Sequence, residues 1–406
     1  MIWAAARAKK MEEKRGLGQL TRPRRQASEV IFRLWGTECL DCTAQLKFMN
    51  GLHGLHLVPS SLSAAQPPRK NTTCLSDGKS INSAKYAMAS TLIPPPVFDI
   101  TVRVGCSLAY NATGPASLLL KLKPRANRNH AVVFEALTLG DNLPAEEFKD
   151  SHGNAVWRVS LAPGTNCFRH DAMVAISSRP DNHDLVIAAP LAPFNLPPAL
   201  LRYTLPSRYC DSDKLANFAW EKFGQVEHGL PRVNAISQWL HDNIEYRYLS
   251  GRADLSAWDV LQRGYGVCRD FAHLAVALNR TFNLPARYVT GHLPDIGCPD
   301  PDNHMDFHAY AEVFLGDHWF TTDARFHGPR IGRIKISCGH DAVDGAFSTI
   351  YGAATLSYFQ VWAYQVARGT VGVGDPLDFS RRLDNQITVQ TEAPYLIDPK
   401  EPNLRR

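Results

Sequence analysis

No stretch of this 406-residue chain approaches the ~18–20 uninterrupted apolar residues that a bilayer-spanning helix needs; even the run from Leu185 is broken by Pro190 and Pro193. A helical membrane-spanning protein is excluded. Cysteine is sparse and odd in number, nine residues at 39, 42, 74, 106, 167, 210, 268, 298 and 338, which excludes a dense disulfide framework and reads as reduced thiols. No sustained apolar segment follows Met1 before the charges resume at Arg7. The expected location is the cytoplasm, where the N-x-S/T triplets at Asn71, Asn111 and Asn279 carry no meaning. A basic excess is missing where a fold is expected: residues 1–95 hold 14 Lys/Arg against 6 Asp/Glu, but the remaining 311 residues hold 30 against 33. Nucleic-acid binding by the folded part is disfavoured, because it needs a basic face to displace counterions from phosphates. Cys39 and Cys42 form a C-x-x-C without a second pair, and no EF-hand-like acidic loop occurs, so neither structural zinc there nor calcium activation is expected.

Apolar residues at 45% and charged residues at 20% describe a globular protein with enough hydrophobic side chain for sizeable cores. Four segments follow from the punctuation. Residues 1–95 read as a disordered or unrelated extension closed by Pro94-Pro95-Pro96. Residues 97–190 alternate with period two, with strands expected at Phe98–Val104, Ser117–Leu122, Ala131–Leu139, Ala155–Leu161, Ala172–Ser177 and Leu185–Ala188, forming a β-rich, sandwich-like domain. A proline-laden connector then leads to a mixed core over 207–350, and 351–406 reads as a C-terminal extension. The fold class is α+β.

Within 207–350 the period becomes helical, with Val233, Ile236, Leu240 and Ile244 spaced at three and four. Arg263-Gly264-Tyr265-Gly266 is a turn from which a helix departs at Cys268, with Phe271, Leu274, Ala275 and Leu278 on its buried face. Strands are expected at Ala286–His292, His308–Leu315 and His318–Thr322. The Pro-, Asp- and Gly-laden loop Pro294–Asp306 is a candidate lid or substrate wall.

A cysteine at a helix start faces free N–H groups and the positive dipole end, which favour thiolate. By itself Cys268 reads first as a small buried hydrophobe, the commoner fate of a free cysteine. Its company gives it chemistry: His308 opens a strand and Asp323 ends the next one, so antiparallel neighbours can set the two side by side. Asp270, in the first helical turn, reads as a dipole-compensating acid. A competing reading gathers Cys298, His304, Asp306 and His308 as a zinc cluster, but no Glu follows His304 and Asp302-Asn303 argues against a helix there.

Gly266-Val267-Cys268-Arg269-Asp270-Phe271-Ala272-His273-Leu274, Pro285-Ala286-Arg287-Tyr288-Val289-Thr290-Gly291, Asp306-Phe307-His308-Ala309-Tyr310-Ala311-Glu312-Val313 and Trp319-Phe320-Thr321-Thr322-Asp323-Ala324 together resemble the core of the bacterial transglutaminase-like proteins, cousins of papain-type cysteine peptidases. The resemblance covers roughly 212–335, and 97–190 is similar to the β domain such proteins often carry. It implies a papain/transglutaminase-like core, one central helix on an antiparallel sheet, with Cys268 as nucleophile, His308 as general base and then acid, and Asp323 orienting the imidazole. It further implies a cysteine hydrolase or acyltransferase acting on a protein or peptide substrate with no cofactor, metal, nucleic-acid or membrane partner. The alternative is a catalytically silent module that keeps the fold for protein interaction.

Overall fold

The computed structural model describes residues 97–384 except 126, 128–129, 141–142, 183–188, 299 and 301–304. The N-terminal extension, the strand expected at Leu185–Ala188 and the tail beyond 384 lie outside the described residues. The chain opens with β1 (Ile100–Leu120), β2 (His130–Leu139), β3 (Ala145–Lys149), β4 (Ala155–Leu161) and β5 (Gly164–Ile176). β1 unites two strands that the sequence reading keeps apart. Its side chains are buried from Ile100 to Val104 and again at Leu118 and Leu120, and each half has its own partner on one edge: β5 lies against Ile100–Ala112 and β4 against Ala116–Leu120. β3 carries no apolar alternation that would reveal it, because as an edge strand it is exposed along its whole length.

Two helices follow, α1 (Ala216–Phe223) and α2 (Leu230–Asn243), the second with Pro231 in its first turn where no intrahelical N–H is lost. The two-residue strand β6 (Glu245–Tyr246) pairs in parallel with β7 (Tyr265–Gly266). Between them lies α3 (Ala257–Arg263), capped reciprocally by Ser256 and Asp259 and ended by Gly264 in the left-handed region at φ 73°. The turn of residues 263–266 thus forms as read and delivers the chain into α4 (Cys268–Thr281). α4 lies on a four-stranded antiparallel sheet of β8 (Ala286–His292), β9 (His308–Leu315), β10 (His318–Thr322) and β11 (Ile334–Gly339), in the order β10-β9-β8-β11. Phe271, Leu274, Ala275 and Leu278 of α4 pack on Ala286, Ala311 and Val313 of the sheet and on Val233, Ile236 and Leu240 of α2. Each leucine so buried stabilises the fold by roughly 2–3 kcal/mol. The expected central helix on an antiparallel sheet is therefore the architecture of this part.

After the short α5 (Ala342–Gly345), the chain returns through β12 (Ser348–Val366), which pairs antiparallel with β1 from Thr101 to Leu120. The region read as a C-terminal extension thus supplies a strand to the first sheet, whose six strands form one hydrogen-bonded sheet sharing β1. Gly105 makes this closure possible: a Cβ there would stand 2.4 Å from the Trp362 indole. The sheet also reaches into the core, because Phe307 and Ile336 bury themselves among Leu108, Leu118 and Val361. Phe307 is the residue before β9, so the sheet fixes where that strand begins.

Two histidines are buried where the sheets meet the core. His292 on β8 has no hydrogen-bond partner on either ring nitrogen, His130 on β2 has at most the Arg125 backbone, and burial pushes each down to about 3. Both rings are neutral in the native state, whereas the unfolded imidazole takes up its proton near 6.5. Between those values the unfolded chain binds more protons, so stability is full above pH 6.5 and is lost as pH falls toward 3. We expect the urea midpoint to drop steeply between pH 7 and 5, and His130→Phe to flatten that slope; an unchanged slope would show that the ring is hydrated in solution.

Candidate active site

Cys268 is placed by the turn that precedes it. Asp270, fully buried, accepts the Val267 N–H at 3.0 Å and pairs with Arg263 at 3.1 Å, pinning the loop against the first turn of α4. The role read for Asp270 as a compensating acid is therefore extended to a clamp on the loop that carries the sulfur. Gly266 leaves room for it, since a Cβ there would meet the Asp270 Cβ at 2.7 Å. The Cys268 thiol packs beside Ala272, Tyr288 and Ala309. Its Sγ lies 3.9 Å from the Phe307 carbonyl oxygen, and the Ala309 amide donates to the sulfur. The thiol thus lies against the backbone on both sides of His308.

His308 is the first residue of β9, and Asp323 follows the last residue of the neighbouring β10. The antiparallel pairing brings them together as the spacing suggested: His308 Nε2 is 2.7 Å from Asp323 Oδ2, with both side chains buried. With Nε2 committed to the carboxylate, Nδ1 is the nitrogen left to exchange a proton with a thiol. Phe326 packs on the imidazole at 5.3 Å between ring centres.

Sequence reasoning missed Arg333. Its Nη1 stands 2.7 Å from Asp323 Oδ2, and its Nε donates to Asp181 at 2.6 Å. His308 and Arg333 together hold the Asp323 carboxyl well below the usual carboxylate range, overcoming burial, which alone would raise it. Arg333 sits just before β11, within the segment read as continuing the family-like pattern, but nothing in an isolated sequence tells a buried arginine from a solvated one.

The electrostatics differ from expectation at the sulfur. Burial pushes the Cys268 thiol up to about 11, and the nearby Arg325 guanidinium only partly counters this. Burial also depresses His308, more than Asp323 raises it. Desolvation of the sulfur thus opposes the thiolate that the helix start favours, and desolvation of His308 opposes its imidazolium. Asp306, whose carboxylate accepts the Phe307 N–H at 2.6 Å, lies close enough to oppose thiolate formation, and burial raises its own carboxyl to about 6.

Among the described residues, the zinc cluster of the sequence reading finds no support. His308 lies on a strand and spends one nitrogen on Asp323, Cys298 is exposed, and His304 lies outside the described residues. Of the candidate lid, Asp295 pairs with Arg382 at 2.7 Å, Ile296 packs against the first sheet and Asp300 pairs with Arg325 at 2.8 Å; residues 301–304 lie outside the described residues. A cavity of about 560 Å³ borders the site, walled by Asp323 and Arg333 together with Asp181, Ser237 and His327, but Cys268 and His308 are not among its walls.

Residues 217–324, which span Cys268, His308 and Asp323, match the family model of the transglutaminase-like superfamily. A protein of Mycobacterium leprae, named as uncharacterised, is 23% identical over 229 residues, 54% of this chain and 81% of its own length. A Mycobacterium tuberculosis protein, also named as uncharacterised, is 27% identical over 209 residues, 48% of this chain and 66% of its own. Among solved structures, one from Cytophaga hutchinsonii named as a candidate cysteine protease is 28% identical, covers 67% of this chain and 93% of its own, and superposes with a TM-score of 0.60.

Proposed function

We propose that this chain, which carries a transglutaminase-like domain over residues 217–324, is a cysteine-dependent enzyme that attacks peptide or glutamine amides through a thioester. The observation that carries the reading is the 2.7 Å contact of His308 with Asp323 beside a thiol lodged on the backbone of residues 307 and 309. The structural neighbour named as a candidate cysteine protease supports the same class.

Because desolvation opposes both thiolate and imidazolium, proton transfer accompanies attack. His308 Nδ1 takes the Cys268 proton as the sulfur bonds to the substrate carbonyl carbon, and Asp323 stabilises the imidazolium that forms. The backbone N–H of Cys268, unpaired within the helix by its position, is one donor for the developing oxyanion. His308 then delivers the proton to the departing amine or ammonia, leaving a thioester on Cys268. Water resolves the thioester to an acid; an amine resolves it to a new amide. Arg333 is a positioning residue in this scheme, fixing the charge and orientation of Asp323.

One feature favours the silent module instead: desolvation of the half-buried Cys268 thiol, which pushes it up to about 11. Mass spectrometry of a glutamine-containing peptide, incubated with and without a primary amine, separates the readings. A gain of water with loss of ammonia names deamidation, amine incorporation names transamidation, and backbone cleavage names proteolysis. A panel of such peptides left unmodified, with no acyl adduct on Cys268, would sink the enzymatic reading. The cytoplasm is the proposed location, supported by the free state of Cys106, Cys167, Cys210, Cys268, Cys298 and Cys338.

A further inference from the structure

Away from the site just described, His152 meets His340 and Asp344, two neighbouring residues from a distant part of the chain. His152 lies in the turn between β3 and β4, His340 follows β11, and Asp344 lies on α5. One donor atom from each, His152 Nε2, His340 Nδ1 and an Asp344 carboxylate oxygen, lies within 4.8 Å of the other two. The geometry points to a divalent transition-metal site, two imidazoles and one carboxylate being a donor set that zinc accepts.

The spacing brackets what that metal needs. Donors about 2.1 Å from a tetrahedral zinc stand roughly 3.4 Å apart; His152 Nε2 is 3.2 Å from Asp344 Oδ2, and His340 Nδ1, hydrogen-bonded to the same oxygen at 2.7 Å, would move outward by less than about 1 Å to admit the ion. A metal needs both imidazoles neutral and replaces the protons that otherwise bridge them to the carboxylate. The ligands are also held from behind. The Tyr203 hydroxyl sits 2.8 Å from His152 Nδ1, which turns Nε2 toward Asp344 and leaves it free to ligate. The His152 backbone N–H donates to Asp150 at 2.9 Å, and the His340 backbone N–H donates to Asp344 Oδ2 at 2.9 Å.

Gly339 supplies a separate sign that the carboxylate has a built place. A Cβ at that position would fall 2.1 Å from the Asp344 Cβ, so only glycine lets the acid lie against the end of β11. The cluster also has an approach from solvent. The His152 side chain is 4% exposed, but His340 and Asp344 are 30% and 29% exposed, which leaves a fourth coordination position for water. Such an ion would join the first sheet, through His152, to α5. The first residue of α5, Ala342, packs in the apolar cluster that also holds the Cys268 thiol.

Zinc chloride added to the chelator-stripped full chain provides the test, read by metal analysis after gel filtration, by competition with a chromophoric chelator and by melting temperature. Wild type is expected to retain zinc tightly and to melt several degrees higher with it. Asp344→Asn and His152→Ala are expected to lose one equivalent, weaken that site at least about 100-fold and abolish the thermal shift. Cobalt substitution, expected to give the intense visible bands of a four-coordinate ion in wild type and not in Asp344→Asn, keeps the test valid should His152→Ala fold poorly. Zinc content, affinity and thermal shift that are the same in wild type and Asp344→Asn would overturn the proposal, as would a wild type that retains no zinc.

Discussion

Replacing Cys268 by alanine is expected to abolish turnover and acyl-adduct formation, a loss on the order of a million-fold, while the melting temperature stays within a few degrees of wild type. The size of the kinetic effect follows from removing the atom that forms the covalent bond; groups that act as one unit lose nearly everything when any nucleophile or base is deleted. The small structural effect follows from what the sulfur touches: a weak 3.9 Å contact to the Phe307 carbonyl and an apolar cluster that tolerates a methyl group. His308→Ala should fall almost as far, and the double variant no further than the single ones, because a base without a nucleophile has nothing to activate. Full activity in Cys268→Ala would place the chemistry elsewhere in the molecule. Unfolding of that variant would instead make the residue a packing element.

The second large effect concerns the buried pair behind the imidazole. Asp323→Asn is expected to lower kcat about 10³–10⁴-fold, less than loss of the nucleophile, since it disturbs the tautomer and charge of His308 without removing it. It should also destabilise the protein by about 3–5 kcal/mol, because the Arg333 guanidinium loses a carboxylate at 2.7 Å in a buried setting. The pH profile separates charge from scaffolding. His308 must be neutral to act as base, and its proton affinity is already below the ordinary imidazole value. Activity should therefore persist somewhat below pH 6.5 and fall on further acidification. Asp323 raises His308 and Arg333 lowers it, so Asp323→Asn moves the acid limb to lower pH and Arg333→Met moves it to higher pH. Acid limbs that stay put in both variants would show that neither charge acts on the imidazole.

Much of this site was legible because its parts are local. The turn of residues 263–266, the apolar face of α4 and the strands opening at His308 and closing before Asp323 each have a composition that dictates one structure. Antiparallel neighbours then bring two of the three side chains together. The protonation state of the sulfur was not legible, because desolvation depends on what covers the helix start and that cover comes from β8 and β9. Arg333 was hidden for a related reason: its partners Asp181 and Asp323 are brought to it by the fold. His340 and Asp344 did offer a signal, an i, i+4 spacing, but their third partner, His152, lies far away in the chain, in the turn between β3 and β4. β12 was hidden by its own exposure, since its first half has no clean buried face and its partner strand is more than two hundred residues earlier.

The return of β12 to β1 also bears on how the protein is made. The helices and the second sheet are translated between two strands of the first, so a ribosome must deliver Val366 before β1 receives its partner on that edge. Until then a long, largely apolar edge stays open on the nascent chain, a surface that chaperones would need to shield. Because Phe307 anchors the start of β9 in that sheet, packed with Val361 and Phe359 of β12, a strand made long after His308 helps to seat the imidazole.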